Sequence, residues 1–181
     1  MTEQLLQALV MQRCLSQLKH QVALPNDTSF YSWESDVITI NGSGFVSEFE
    51  CKISRADYLR DKKKPKFDAF KYHKAHKERH DKAVLEGKWD RPFIPHIPNY
   101  FWYVTLDFDI EPPEYAGWLK VTYNEKKYWH DVKVMKVAPR LHSDKPHERM
   151  TQIAARLLSF KLMSVYVNTH VHRKKIVDPK A

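Results

Sequence analysis

Residues 33–64 read WESDVITINGSGFVSEFECKISRADYLRDKKK, and this stretch decides how the rest of the chain is read. Residues 36–40 are extended in pattern. Asn41-Gly42-Ser43-Gly44 is a strong hairpin signal, and 45–53 is the returning strand. Alternation along the return puts Val46, Glu48, Glu50 and Lys52 on one face and Ser47, Phe49, Cys51 and Ile53 on the other. Asp36 begins the first strand, and a tight hairpin brings it alongside Glu50 and Lys52. Two carboxylates held close repel each other, and a hard divalent cation relieves that repulsion. Mg²⁺ takes few carboxylates, several waters and a substrate phosphate, which matches this inventory. Such a metal lowers the pKa of a bound water and offsets charge on a phosphate. Lys52 then orients or activates the attacking water, or stabilises the charge that develops.

Working outward, residues 2–20 are patterned as an amphipathic helix. Thr2 is its N-cap, and Leu5, Leu6, Leu9, Val10 and Cys14 form its apolar stripe. Pro25-Asn26-Asp27 ends that unit, and 29–33 is rich enough in aromatics to be extended. After Ser54 the pattern turns helical and polar. Residues 52–91 hold fourteen Lys and Arg against seven Asp and Glu, and 64–98 has the character of a basic helical insertion. The run YFWYVTL at 100–106 is continuously apolar and predicts a central buried strand. Strands follow at 117–123 and 131–137, then a loop at 139–146, a helix over 147–167 and a basic tail at 170–181. The order predicts one α/β domain over 1–181, a central mixed β-sheet flanked by helices.

Composition bounds the function. The chain has 181 residues, 43% of them apolar, and a formal charge of +8. That suffices for one core and excludes a wholly disordered chain. No run approaches a membrane span, and the start lacks the features of a signal peptide, so a cytoplasmic protein with no membrane partner is expected. Two cysteines, Cys14 and Cys51, make neither a disulfide framework nor a zinc motif. A basic, aromatic-rich protein of this kind meets an anionic partner, most commonly nucleic acid. Arg55, Arg60, Lys62, Lys63, Lys64, Lys66, Lys71, Lys74 and Arg79 are the candidate phosphate-binding residues.

The arrangement resembles the PD-(D/E)xK nuclease superfamily, most closely its MmcB-like group of DNA-repair and phage proteins. Glu34-Ser35-Asp36-Val37 resembles that group's entry strand, and Glu48-Phe49-Glu50-Cys51-Lys52 its E-x-E-x-K strand. Ser54-Arg55-Ala56-Asp57-Tyr58 with Asp61-Lys62-Lys63 resembles its helix entry. Tyr115-Ala116-Gly117-Trp118-Leu119 and Ala138-Pro139-Arg140-Leu141-His142 look like two later signatures of the group. The resemblance spans about 34–142. It implies a restriction-endonuclease-like fold and a nuclease that uses Mg²⁺ or Mn²⁺ on DNA, with RNA also open, in a phage or bacterial DNA-repair setting. Asp36, Glu50 and Lys52 would be catalytic. Asp36, Glu50 and the Cys51 backbone carbonyl would hold the metal, supported by Glu34, Glu48, Ser54 and Asp57. The superfamily often adds a glutamate from the first helix, and here Glu3 is the one available.

Each residue also has a plainer reading. Asp36 can cap a strand end, Glu50 and Lys52 can be an ion pair on an exposed strand, and Asp57 can serve only the helix dipole. Cys51 belongs to the core side of its strand, and Tyr100, Trp102 and Tyr103 to the core rather than to a base-stacking platform. His73, His76 and His80, set among lysines and arginines, read as a solvated helix face. The rival function is a noncatalytic nucleic-acid-binding module of the same fold, working in a partner complex.

Overall fold

The structure is a computed structural model, and it describes residues 2–61, 64, 66–91, 93, 96–126, 129–145, 152, 155, 157, 158 and 162. Contacts divide the chain into two units, residues 1–146 and 147–181. The first is an α/β unit built on a six-stranded mixed sheet. Its strands are β1 (Val22–Asp27), β2 (Ser35–Ile40), β3 (Val46–Lys52), β4 (Tyr100–Leu106), β5 (Ala116–Asn124) and β6 (Trp129–Lys136). They lie side by side in chain order. β3, β4 and β5 run parallel, and the outer pairs are antiparallel.

The parallel step from β3 to β4 cannot be made by a tight turn. It is made by α2 (Arg55–Asp61) and α3 (Lys66–Leu85), which cover one face of the sheet. Tyr58 of α2 and Phe67 and Phe70 of α3 pack on Phe101, Tyr103 and Trp118. The other face is covered by α1 (Glu3–Gln12), whose Leu6, Leu9 and Val10 join Val37, Phe49, Cys51, Val104 and Leu119. Helices therefore close both sides, and β4, between two parallel neighbours, is buried through its middle. Its apolar run is the sequence's most direct statement of the fold.

Thr2 caps α1, its hydroxyl accepting the Leu5 N–H. The helix expected over 2–20 is shorter than its pattern, because after Gln12 the chain passes into a π-helical turn at Arg13–Gln17. β1 overturns the expectation that Pro25 ends a unit. It is an edge strand, where a missing N–H is tolerated. Residues 29–33, expected to be extended, form bends instead, with Asp27 Oδ2 accepting the Ser29 and Phe30 N–H groups. The hairpin is as expected: Gly44 has φ +81°, and the Asn41 side chain accepts the Ser43 and Phe45 N–H groups. In the second unit, the described residues Gln152, Ala155, Leu157, Leu158 and Leu162 are helical, and the tail at 170–181 lies outside the described residues.

Candidate functional site

β2 and β3 pair in register from Ile40 opposite Val46 to Val37 opposite Phe49. One residue further on, the main-chain pairing stops and a side chain takes over: Asp36 Oδ2 accepts the Cys51 N–H at 2.6 Å. Asp36 is thereby fixed beside the peptide that joins Glu50 to Lys52. In an extended residue the N–H and C=O point to the same strand edge, so the Cys51 carbonyl also faces the Asp36 side. The Cys51 thiol points the other way, into the core beneath α1.

Glu48, Glu50 and Lys52 share the opposite face, under α2 and α3, and all three are buried. Burial of a carboxylate is costly unless it is paired, and the helices supply the pairs. Glu50 Oε1 accepts from Lys52 Nζ at 2.7 Å and from Lys64 Nζ at 2.8 Å, while Oε2 meets Lys66 Nζ. Lys66 also reaches Glu48 Oε1 at 3.4 Å, and the Trp33 indole N–H donates to Glu48 at 3.0 Å. Asp61, at the end of α2, accepts from Lys52 at 3.2 Å and from Lys64 at 2.5 Å. The result is a buried network of carboxylates and ammoniums at the C-terminal end of β3.

Charge is unevenly shared in this network. Burial raises the Glu50 pKa, but Lys66 and Lys52 outweigh it and hold the carboxyl well below the usual range. Burial, and then the charge of Glu50, push Asp36 up to about 7. Glu3, at the start of α1, adds to that push and is therefore near the site. It is oriented by Gln7, whose amide donates to Glu3 Oε1 and to Asn26 Oδ1. Glu48 also lies at about 7, raised by burial against the pull of Lys66. Burial lowers the Lys52 pKa, but Glu50 and Asp61 together outweigh it, so the ammonium stays charged.

The donor set fits a hard divalent cation in kind. Asp36, Glu50 and the Cys51 carbonyl are oxygen donors, and burial is the main cause of the raised Asp36 pKa, followed by the Glu50 charge, which a cation would offset. Both Glu50 oxygens already face ammonium groups. Lys64 is the exposed partner, its side chain 48% exposed and also paired with Asp61, whereas Lys52 and Lys66 are buried.

The other expected residues are dispersed. Exposed Glu34 lines a cavity of about 420 Å³ with Trp33, Lys64 and Lys66. Ser54 caps α2 by accepting the Asp57 N–H, and Asp57 pairs with Arg60 at 3.5 Å. Arg55 donates to the Asp109 carbonyl and stays exposed. Lys71, Lys74 and Arg79 lie on the exposed side of α3. Lys62 and Lys63 fall outside the described residues.

Lys66 must be corrected. Expected at a phosphate-binding surface, it is 4% exposed and packs over the Phe101 ring while pairing with Glu48 and Glu50. Asp61 is a site residue that sequence reasoning misses, although its spacing after Ser54 and Asp57 is the signal that could find it. The histidine face is also corrected: His76 is exposed, but His73 is buried, and burial followed by His142 pushes its pKa down to about 4.

No protein-family model and no curated protein matches the chain. Among solved structures it is similar to SPO1766, a protein of unknown function from Silicibacter pomeroyi. The TM-score is 0.53 and the sequence identity 16%, over 93% of this chain and 92% of that one. The likeness is one of fold. Among the described residues, no helix is long and apolar enough to cross a membrane.

Proposed function

We propose that this chain is a Mg²⁺- or Mn²⁺-dependent nuclease that hydrolyses DNA phosphodiester bonds, as the resemblance to the PD-(D/E)xK superfamily implies. The observation that carries the proposal is the seat of Asp36 on the Cys51 N–H, which leaves two repelling carboxylates flanking one peptide. Asp36, Glu50 and the Cys51 carbonyl would hold the cation. When bound, it would supply a water of lowered pKa and offset charge on the scissile phosphate. Lys52 stays charged and is aimed by Glu50 and Asp61, so it can stabilise charge developing on the phosphate without rearranging. Lys71, Lys74 and Arg79, with Arg55 and Arg60, would hold the backbone through counterion release, without base readout. A phage or bacterial DNA-processing role in the cytoplasm suits this reading, by analogy.

One observation favours the second reading, a noncatalytic nucleic-acid-binding module. Glu50 is already neutralised by lysines of the chain itself, as in a site that has given up its metal. Lys52→Met separates the two. Single-turnover cleavage of labelled DNA and a calorimetric Mg²⁺ titration are run on wild type and variant, with folding checked by urea melts. The nuclease reading expects cleavage to fall by about 10²-fold or more with Mg²⁺ affinity held or raised. Equal cleavage by the folded variant overturns the role given to Lys52. DNA binding without cleavage in the wild type selects the second reading.

A further inference from the structure

Away from the carboxylates, α3 and the loop after β6 bring together side chains that the nuclease reading does not use. His73 is on the buried side of α3, and His142 and Asp144 are on the loop. One ligand atom from each lies within 4.8 Å of the others, and the two imidazole rings are 4.5 Å apart. We propose that His73, His142 and Asp144 form a second metal site, for a divalent transition metal of the Zn²⁺ class, which ties α3 to the loop after β6.

His73 is the strongest observation. It is 6% exposed, and neither ring nitrogen has a hydrogen-bond partner among the described residues. A buried imidazole normally places its N–H on an acceptor, so both ring nitrogens of His73 are available to a ligand.

The geometry of His142 agrees. Its Nε2 lies 3.0 Å from the Ile97 carbonyl, which can only accept, so Nε2 carries the proton and Nδ1 keeps its lone pair. A backbone carbonyl on the far nitrogen is the usual support for a metal-ligating histidine. Among the described residues that lone pair has no strong donor of its own. The nearest is Asn99 Nδ2 at 3.4 Å, and its two protons are directed to the His142 and Asp144 carbonyls at 3.1 and 2.8 Å. Asn99 is buried, and its Oδ1 accepts the Val46 N–H, so the loop is anchored on the sheet.

Asp144 divides its oxygens. Lys77 Nζ is 3.5 Å from Oδ1, while Oδ2 faces His142 Nδ1 at 3.8 Å. Among the described residues no lysine or arginine pairs with Oδ2, which leaves that oxygen available to a metal. Bonds of about 2.0–2.1 Å put tetrahedral ligands roughly 3.4 Å apart, so modest side-chain rotation closes the set. Two imidazoles and one carboxylate suit Zn²⁺ rather than Mg²⁺, which prefers oxygen. A fourth position would be left for water, and His73 also lines a cavity of about 430 Å³ with Tyr31, Trp33 and His96.

The test uses the full chain carrying Asp36→Asn, so that metal at the carboxylate site does not contribute. After removal of metal with EDTA, Zn²⁺ is titrated by calorimetry, Co²⁺ is titrated by visible absorption, and melting is followed with and without Zn²⁺. The proposal expects one tight equivalent, the intense visible bands of low-symmetry Co²⁺, and a melting temperature raised by Zn²⁺. His73→Leu and Asp144→Asn should each weaken binding by tenfold or more and abolish the Zn²⁺-dependent rise. His73→Leu also removes an unpartnered polar ring, so it should melt no lower than wild type without metal. Absence of a stoichiometric site, or equal binding by His73→Leu, overturns the proposal.

Discussion

Asp36 holds the Cys51 N–H at 2.6 Å, and through that hydrogen bond a strand-end carboxylate lies beside Glu50 and Lys52 without being paired to either. Burial, and then the Glu50 charge, outweigh the Cys51 N–H and Lys52 and raise the Asp36 pKa to about 7. A carboxyl raised above its unfolded value of 3.8 gives stability that is full below about pH 4. That stability is lost as pH climbs through 7. Asp36→Asn keeps an acceptor for Cys51 and removes the charge. Urea melts should find the variant more stable than wild type at pH 8, with the gap closing at pH 5. Glu48 titrates in the same window and is unchanged in the variant, so wild type and variant share its slope.

Lys66 is structural in this account. Lys66→Met leaves Glu48 and Glu50 with less compensation in a buried site, a change that costs about 3–5 kcal/mol. Chemical denaturation measures it. A neutral effect on stability with a loss of DNA affinity would return Lys66 to the binding surface.

Lys64 holds Glu50 Oε1, is half-exposed, and would compete there with the proposed cation. Lys64→Met should raise Mg²⁺ affinity several-fold in a calorimetric titration, while Lys52 and Lys66 keep Glu50 paired. Unchanged affinity would place the cation away from Glu50.

The exposed face of α3 is tested by Lys71→Glu, Lys74→Glu and Arg79→Glu together. Every duplex phosphate that the protein ceases to neutralise lowers the log–log salt slope by about 0.9. Fluorescence anisotropy over a salt series should show a flatter slope, and an unchanged slope would exclude this face.

Gly117 tests the sheet. A Cβ there would lie 2.5 Å from Trp102 Cε3 and 2.6 Å from the Ala138 nitrogen, which is backbone and cannot swing aside. Gly117→Ala should destabilise the chain by about 1–3 kcal/mol in a urea melt.

Much of this was legible in the sequence, because it depended on local pattern. The hairpin followed from Asn41 to Gly44, β4 from an apolar run and the shared face of Glu50 and Lys52 from alternation. β1 was hidden because Pro25 reads as a breaker, and only its place at the sheet edge makes it tolerable. Burial of Lys66 was hidden for a related reason. A lysine in a basic run looks solvated until α3 is laid over the face that carries Glu48 and Glu50. The meeting of His73 with His142 is tertiary, and no spacing along the chain announces it.

The central claim is tested most directly by incubating the purified chain with labelled single-stranded, duplex and branched DNA in Mg²⁺, Mn²⁺ or EDTA, with Asp36→Asn alongside. The account predicts cleavage by the wild type that needs the metal, stops in EDTA and falls by about 10²-fold or more in the variant. Failure to cleave any of these substrates with either metal, or equal cleavage by Asp36→Asn, would contradict it.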